Sequence, residues 1–187
     1  MASQYGYTEI VKALLDSEAD ANKAYDGVTP LLMASQEGHE EIVKALLENR
    51  ANVNKAGSDG LTPLLKASQI GHAEIVKVLL RTKGIKVNKA IDGVTPLFMA
   101  SQYGYTEIVK ALLDSGADAN KAYNGVTPLF MASQNGQIDI VKVLLRIKGI
   151  KVNKPRADGL TPLYIASYQG HTDIATLLRN AGEREEL

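Results

Sequence analysis

Histidine, lysine, asparagine and serine recur in register along this chain, and each could do chemistry. His39, His72 and His171 are its three histidines, residues able to ligate a metal or carry a proton. Each follows a glycine, and the matching positions elsewhere hold Tyr7, Tyr105 and Gln137. Those side chains share no ligand or acid–base role with imidazole, so the histidines read as turn-packing residues. Lys23, Lys55, Lys89, Lys121 and Lys154 each follow an asparagine, and such a ladder could hold a polyanion. Asp26, Asp59, Asp92 and Asp158 follow a few residues later, and 21 basic residues balance 21 acidic ones to zero net charge. A solvated edge matched by those aspartates is therefore expected, with no specific nucleic acid and no anionic membrane as partner.

The remaining reactive types read as structure. Ser35, Ser68, Ser101 and Ser133 each precede glutamine; a small residue where helices approach accounts for them better than a phosphorylation site. Phe98, Phe130 and Tyr164 read as core, not as a ligand box. Without cysteine there is no thiol nucleophile, disulfide or cysteine-held metal. No glycine-rich run leads into Lys-Ser or Lys-Thr as a phosphate loop needs. No catalytic residue, cofactor or metal site is expected. No apolar run resembles a signal peptide or membrane span, and an intracellular, cytoplasmic protein is the expectation.

What positions these residues is a repeat. Thr-Pro occurs at 29–30, 62–63, 95–96, 127–128 and 161–162, in steps of 33, 33, 32 and 34 residues. Periods of this length mark stacked supersecondary units, none able to bury its apolar face alone. In each unit Thr can cap a short helix whose first residue, Pro, has no amide to leave unpaired. That helix is expected to stop at Gly38, Gly71, Gly104, Gly136 or Gly170, in the left-handed conformation glycine allows. A second helix follows, with an apolar stripe such as Ile42, Val43, Leu46 and Leu47. An acid occupies its first turn: Glu9, Glu41, Glu74, Glu107, Asp139 or Asp173. Lys12, Lys44, Lys77, Lys110 and Lys142 lie three residues on, within pairing reach. A loop rich in Asn, Asp and Gly then forms a hairpin-like tip, its Asn22, Asn54, Asn88, Asn120 or Asn153 bonding loop backbone groups.

The shared text, carried by Thr29-Pro30-Leu31, Ala34, Gly38-His39, Ile42-Val43, Leu46-Leu47 and Asn54 and their equivalents, resembles the ankyrin repeat over nearly the whole chain. The resemblance implies an all-α repeat solenoid: helix–turn–helix pairs with projecting hairpins, stacked into a curved array. It also implies a non-enzymatic protein-binding module that uses hairpin tips and the inner, first helices of the concave face. Leu32, Leu65, Phe98, Phe130 and Tyr164 replace the histidine usual in the family after Thr-Pro-Leu. One repeat domain is expected: a partial repeat at 1–25, repeats at about 26–58, 59–91, 92–123 and 124–157, and a capping repeat at 158–187.

Residues 1–27 repeat residues 99–125 except for Glu18 in place of Gly116 and Asp26 in place of Asn124. Met1 aligns with Met99, so the chain reads as starting part-way through a unit, as a piece of a longer array would. The second helix of that unit is expected to dock through Ile10, Val11, Leu14 and Leu15 while showing an apolar outer side. Weak self-association through that N-terminal face, with a monomer otherwise, follows from it. The charged "GEREEL" end reads as a polar cap.

Positions that differ between units mark the candidate surface for a protein partner. They are Tyr5, Glu37, Ile70, Tyr103, Asn135 and Tyr168 at the ends of first helices, and Tyr25, Ile91, Tyr123 and Arg156 at the tips. Exposed aromatics beside adaptable polar groups suit interface anchors. The alternative is an architectural spacer within a larger repeat protein.

Overall fold

A computed structural model describes residues 1–185, and side chains of residues 1–182. The last two residues of the expected polar cap lie outside the described residues. The chain divides into two compact units, residues 1–91 and residues 92 onward. Among the described residues all regular structure is helical except for single antiparallel bridges at two hairpin tips. The fold is an all-α repeat solenoid.

The first unit holds α1 (Thr8–Asp16), α2 (Pro30–Glu37), α3 (Glu40–Glu48), α4 (Pro63–Ile70) and α5 (Ala73–Arg81). First helices stack on first helices, α2 on α4, and second helices on second helices, α1 on α3 and α3 on α5. The second unit holds α6 (Pro96–Tyr103), α7 (Thr106–Asp114), α8 (Pro128–Gln134), α9 (Ile138–Leu144), α10 (Pro162–Tyr168) and α11 (Thr172–Glu185). The same order holds there: α6 packs on α8 and α8 on α10, while α7 packs on α9 and α9 on α11. Each repeat thus buries its apolar stripe against its neighbours, and Leu31, Ile42, Leu46, Leu64, Ile75, Leu97, Ile108 and Phe130 are fully buried. Burial of each such side chain contributes about 1.5–3 kcal/mol.

Thr-Pro starts every first helix as expected. The hydroxyl oxygens of Thr29, Thr62, Thr95, Thr127 and Thr161 accept from the main-chain N–H three residues on, at 3.1–3.2 Å. Gly38, Gly71 and Gly104 end α2, α4 and α6 with φ of 84°, 100° and 84°. α8 and α10 end one residue sooner, at Asn135 and Gln169. Ion pairs cross the first turns of second helices: Lys12–Glu9 at 3.6 Å, Lys44–Glu41 at 2.8 Å, Lys77–Glu74 at 2.8 Å. Their exposure makes each worth little on its own.

Several sequence expectations are corrected by the packing. Ile10 and Leu14 do not dock. Val11 and Leu15 alone bury against α3, and Ile10 and Leu14 form the open outer side, half exposed. α3 shows what cover does: flanked by α1 and α5, it buries the equivalent Ile42 and Leu46 completely. Residues 2–6 form turns in place of a first helix. Tyr164 is not core. Its equivalents Leu32, Leu65, Phe98 and Phe130 are buried, whereas Tyr164 is 52% exposed and stacks on Tyr168 at 6.3 Å.

Candidate partner-binding surface

Asparagines that recur in the loops tie neighbouring repeats together in both units. The Asn54 carboxamide donates to the Gly84 carbonyl at 2.8 Å and accepts from the Lys86 N–H at 2.9 Å. Asn120 does the same with Gly149 and Lys151, both at 2.8 Å, and Asn22 with Arg50 and Asn52 at 3.2 and 2.7 Å. Each asparagine therefore closes its own loop onto the next one. At the end of the second unit Gly182, in α11, takes that place against Asn153, where a β-carbon would lie a tight 3.1 Å from the carboxamide.

Three lysines of the ladder complete this pattern, against the expectation of aspartate pairing. Lys55 donates to the main-chain oxygen of Asn22 at 3.2 Å, Lys89 to that of Asn54 at 2.9 Å and Lys154 to that of Asn120 at 3.2 Å. The aspartates act locally instead: Asp59 accepts from the Leu61 N–H at 3.0 Å, and Asp158 pairs with Arg156. Lysines directed at carbonyls one repeat back are staples, not a row of free cations.

Histidines work the same way. The Nε2 atoms of His39, His72 and His171 lie 3.0, 3.0 and 3.1 Å from the carbonyls of Gln4, Gln36 and Gln134. Their rings cover Gly6, Gly38 and Gly136, where a methyl group would sit 2.7–2.8 Å from a ring carbon. Gln137 covers Gly104 likewise. This is why each of these turn glycines meets a flat or flexible polar residue of the next repeat.

The ten candidate residues fall into two groups. Tyr25 is 89% exposed and Tyr168 75%, and Tyr5, Glu37, Ile70 and Tyr103 are exposed as well. Tyr5 lies beside Tyr7, ring centroids 6.0 Å apart, and Tyr103 beside Tyr105 at 6.2 Å. The other four are engaged in stacking. Ile91 packs on Gly60. Tyr123 meets Phe98 edge-on, centroids 6.1 Å apart. The Asn135 amide donates to the Gln102 carbonyl at 2.8 Å. Arg156 lies over the Phe130 ring, 5.4 Å from its centroid, a cation–π contact. Its hydrogen bonds to Asp158 hold that carboxyl down to about 2. Sequence reading missed Tyr7 as an exposed residue; its spacing of two from Tyr5, matched by Tyr103 and Tyr105, was the available signal. It also missed a groove of about 440 Å³ beside α1, lined by Val11, Leu14, Leu15, Tyr25, Val28 and Met33 among others.

The sequence pattern described as ankyrin repeats (3 copies) matches residues 1–57, 51–123, 87–155 and 119–185. The chain belongs to the ankyrin-repeat family. Ankyrin repeats are generally protein–protein interaction modules and are typically non-catalytic. None of the curated proteins compared with this ankyrin-repeat chain matches it. Among the described residues, no helix is long and apolar enough to cross a membrane. Within the ankyrin pattern the staples join neighbouring repeats inside each unit, and the exposed tyrosines and Ile70 are among the large side chains left facing outward.

Proposed function

We propose that this ankyrin-repeat protein is a non-catalytic binding module that holds a protein partner through exposed hairpin tips and first-helix ends. Tyr5, Tyr25, Glu37 and Ile70 supply the contact in the first unit, and Tyr103 and Tyr168 in the second. The carrying observation is Tyr25, 89% exposed at the tip of a turn fixed by the Tyr25–Val28 bridge. A large amphipathic side chain with only two side-chain torsions loses little entropy on binding, and truncating an anchor at an interface hot spot costs at least about 2 kcal/mol. Ile91, Tyr123 and Arg156 at the tips, and Asn135 at a first-helix end, are engaged in stacking and bind the partner only by their exposed edges.

Capture experiments test this. The intact chain would be used as bait beside a Tyr25→Ser/Tyr103→Ser variant and a second-helix control, Glu48→Gln/Asp173→Asn. The tip variant is expected to lose the protein that the intact chain and the control both retain. Equal capture by all three would place the contact away from the tips, and capture by none would favour the spacer reading, in which the repeats supply length alone.

A further inference from the structure

We propose that Asn124 is a site of spontaneous deamidation, a built-in modification that recharges one hairpin tip. Only two asparagines in the chain precede glycine, Asn124 and Asn135; the others precede Lys, Arg, Val or Ala. Glycine leaves its own amide nitrogen open to approach, whereas a side chain on the following residue obstructs it. The two Asn-Gly sites differ in how the asparagine is held. The Asn135 amide is tied to the Gln102 carbonyl at 2.8 Å. Asn124 is exposed at a two-residue turn, and no hydrogen bond to its carboxamide occurs among the described residues. That turn is closed only by the Tyr123 N–H to Val126 carbonyl bond at 3.0 Å and its return at 2.8 Å, so local opening of the tip is cheap compared with unfolding a repeat.

The chemistry needs water and nothing else. The Gly125 amide nitrogen attacks Cγ of Asn124. A carbon–nitrogen bond forms, the side-chain nitrogen leaves as ammonia carrying the proton lost from Gly125, and a succinimide remains. Water then opens the ring. Attack at the side-chain carbonyl gives aspartate; attack at the main-chain carbonyl gives isoaspartate, with the chain running through the former side chain. The first product already fits this fold: Asp26 and Asp92 hold the equivalent tips at φ 49°, beside 48° for Asn124. The second adds a methylene to a turn whose Gly125 lies against the main chain of Arg156 and Ala157, so it disturbs the next hairpin. Either product places a negative charge next to Tyr123 and near Arg156.

Peptide mapping of the intact folded chain after incubation at mildly alkaline pH tests the proposal. The Asn124 peptide should gain the mass of amide-to-acid conversion first, as a mixture of aspartate and isoaspartate, with Asn135 lagging several-fold. Mass identifies the site, because isomerisation at the Asp-Gly tips leaves mass unchanged. In urea the lag of Asn135 should vanish, since the Gln102 carbonyl no longer holds it. An Asn124→Asp variant should melt like the parent and lack the early signal. Conversion of Asn135 as fast as Asn124 in the folded chain, or persistence of Asn124 as the amide while another asparagine reacts, would overturn the proposal.

Discussion

Lys89 reaches back one repeat and donates to the main-chain oxygen of Asn54 at 2.9 Å, while the carboxamide of Asn54 reaches forward to Gly84 and Lys86. Asn54 thereby accepts two bonds from the next repeat and donates one to it. Lys89→Met keeps the apolar stem and removes the donor, and should destabilise by about 1 kcal/mol in urea melts. Because the acceptor is a neutral carbonyl, the loss should persist at high salt, unlike that of a surface ion pair. Asn54→Ala removes two bonds and should cost about twice as much.

Glu18 and Arg50 adopt φ of 61° and 62° where Gly116 adopts 85°. The left-handed region penalises a β-carbon by about 1 kcal/mol. Glu18→Gly and Arg50→Gly should each stabilise by about that much. The reverse change is informative too: a β-carbon on Gly116 would meet nothing within 4 Å, so Gly116→Ala should cost only the conformational penalty. A neutral result for all three in denaturant melts would show that the loop relaxes to another path.

The nonapeptide TEIVKALLD forms both α1 and α7. Leu14 is 50% exposed in the first and Leu112 0% in the second. Leu112→Ala should therefore cost about 2–5 kcal/mol, as cavity-forming changes do, and Leu14→Ala less than about 1 kcal/mol by lost burial alone. Equal costs would mean that the outer side of α1 is covered in solution.

Asp158 gives a pH signature. Arg156 holds its carboxyl down to about 2 from an ordinary 3.8. A depressed folded-state pKa adds stability that is complete above the unfolded value and disappears as pH falls through the folded one. The contribution of this pair should thus decline between about pH 4 and pH 2. Asp158→Asn should flatten that part of the melting-temperature profile and leave the profile near neutrality shifted uniformly. An identical acid limb in both proteins would contradict it.

The repeat was legible in sequence because Thr-Pro capping, turn glycine and apolar stripe are local signals that recur five times. Hence the cap at Thr95 and the left-handed Gly104 could be read without coordinates. What Lys89 and Ile91 touch could not be read, because their partners are about thirty residues away along the chain and adjacent only after stacking. Lysine beside asparagine reads as a solvated edge until the preceding loop is laid under it. Tyr164 was misjudged for a related reason: its type matches the buried Phe130, and only position in the stack separates them. Tyr25 and Tyr103 were legible as exposed because they interrupt polar text at positions where neighbouring repeats vary.

The most direct measurement is hydrogen–deuterium exchange on the intact chain, free and bound to a protein it captures. Added protection should fall on the tip around Tyr25 and on the first-helix ends around Ile70 and Tyr103, with the second helices α3, α5 and α9 unchanged. Protection confined to the second helices, or none at any tip, would contradict binding through the tips.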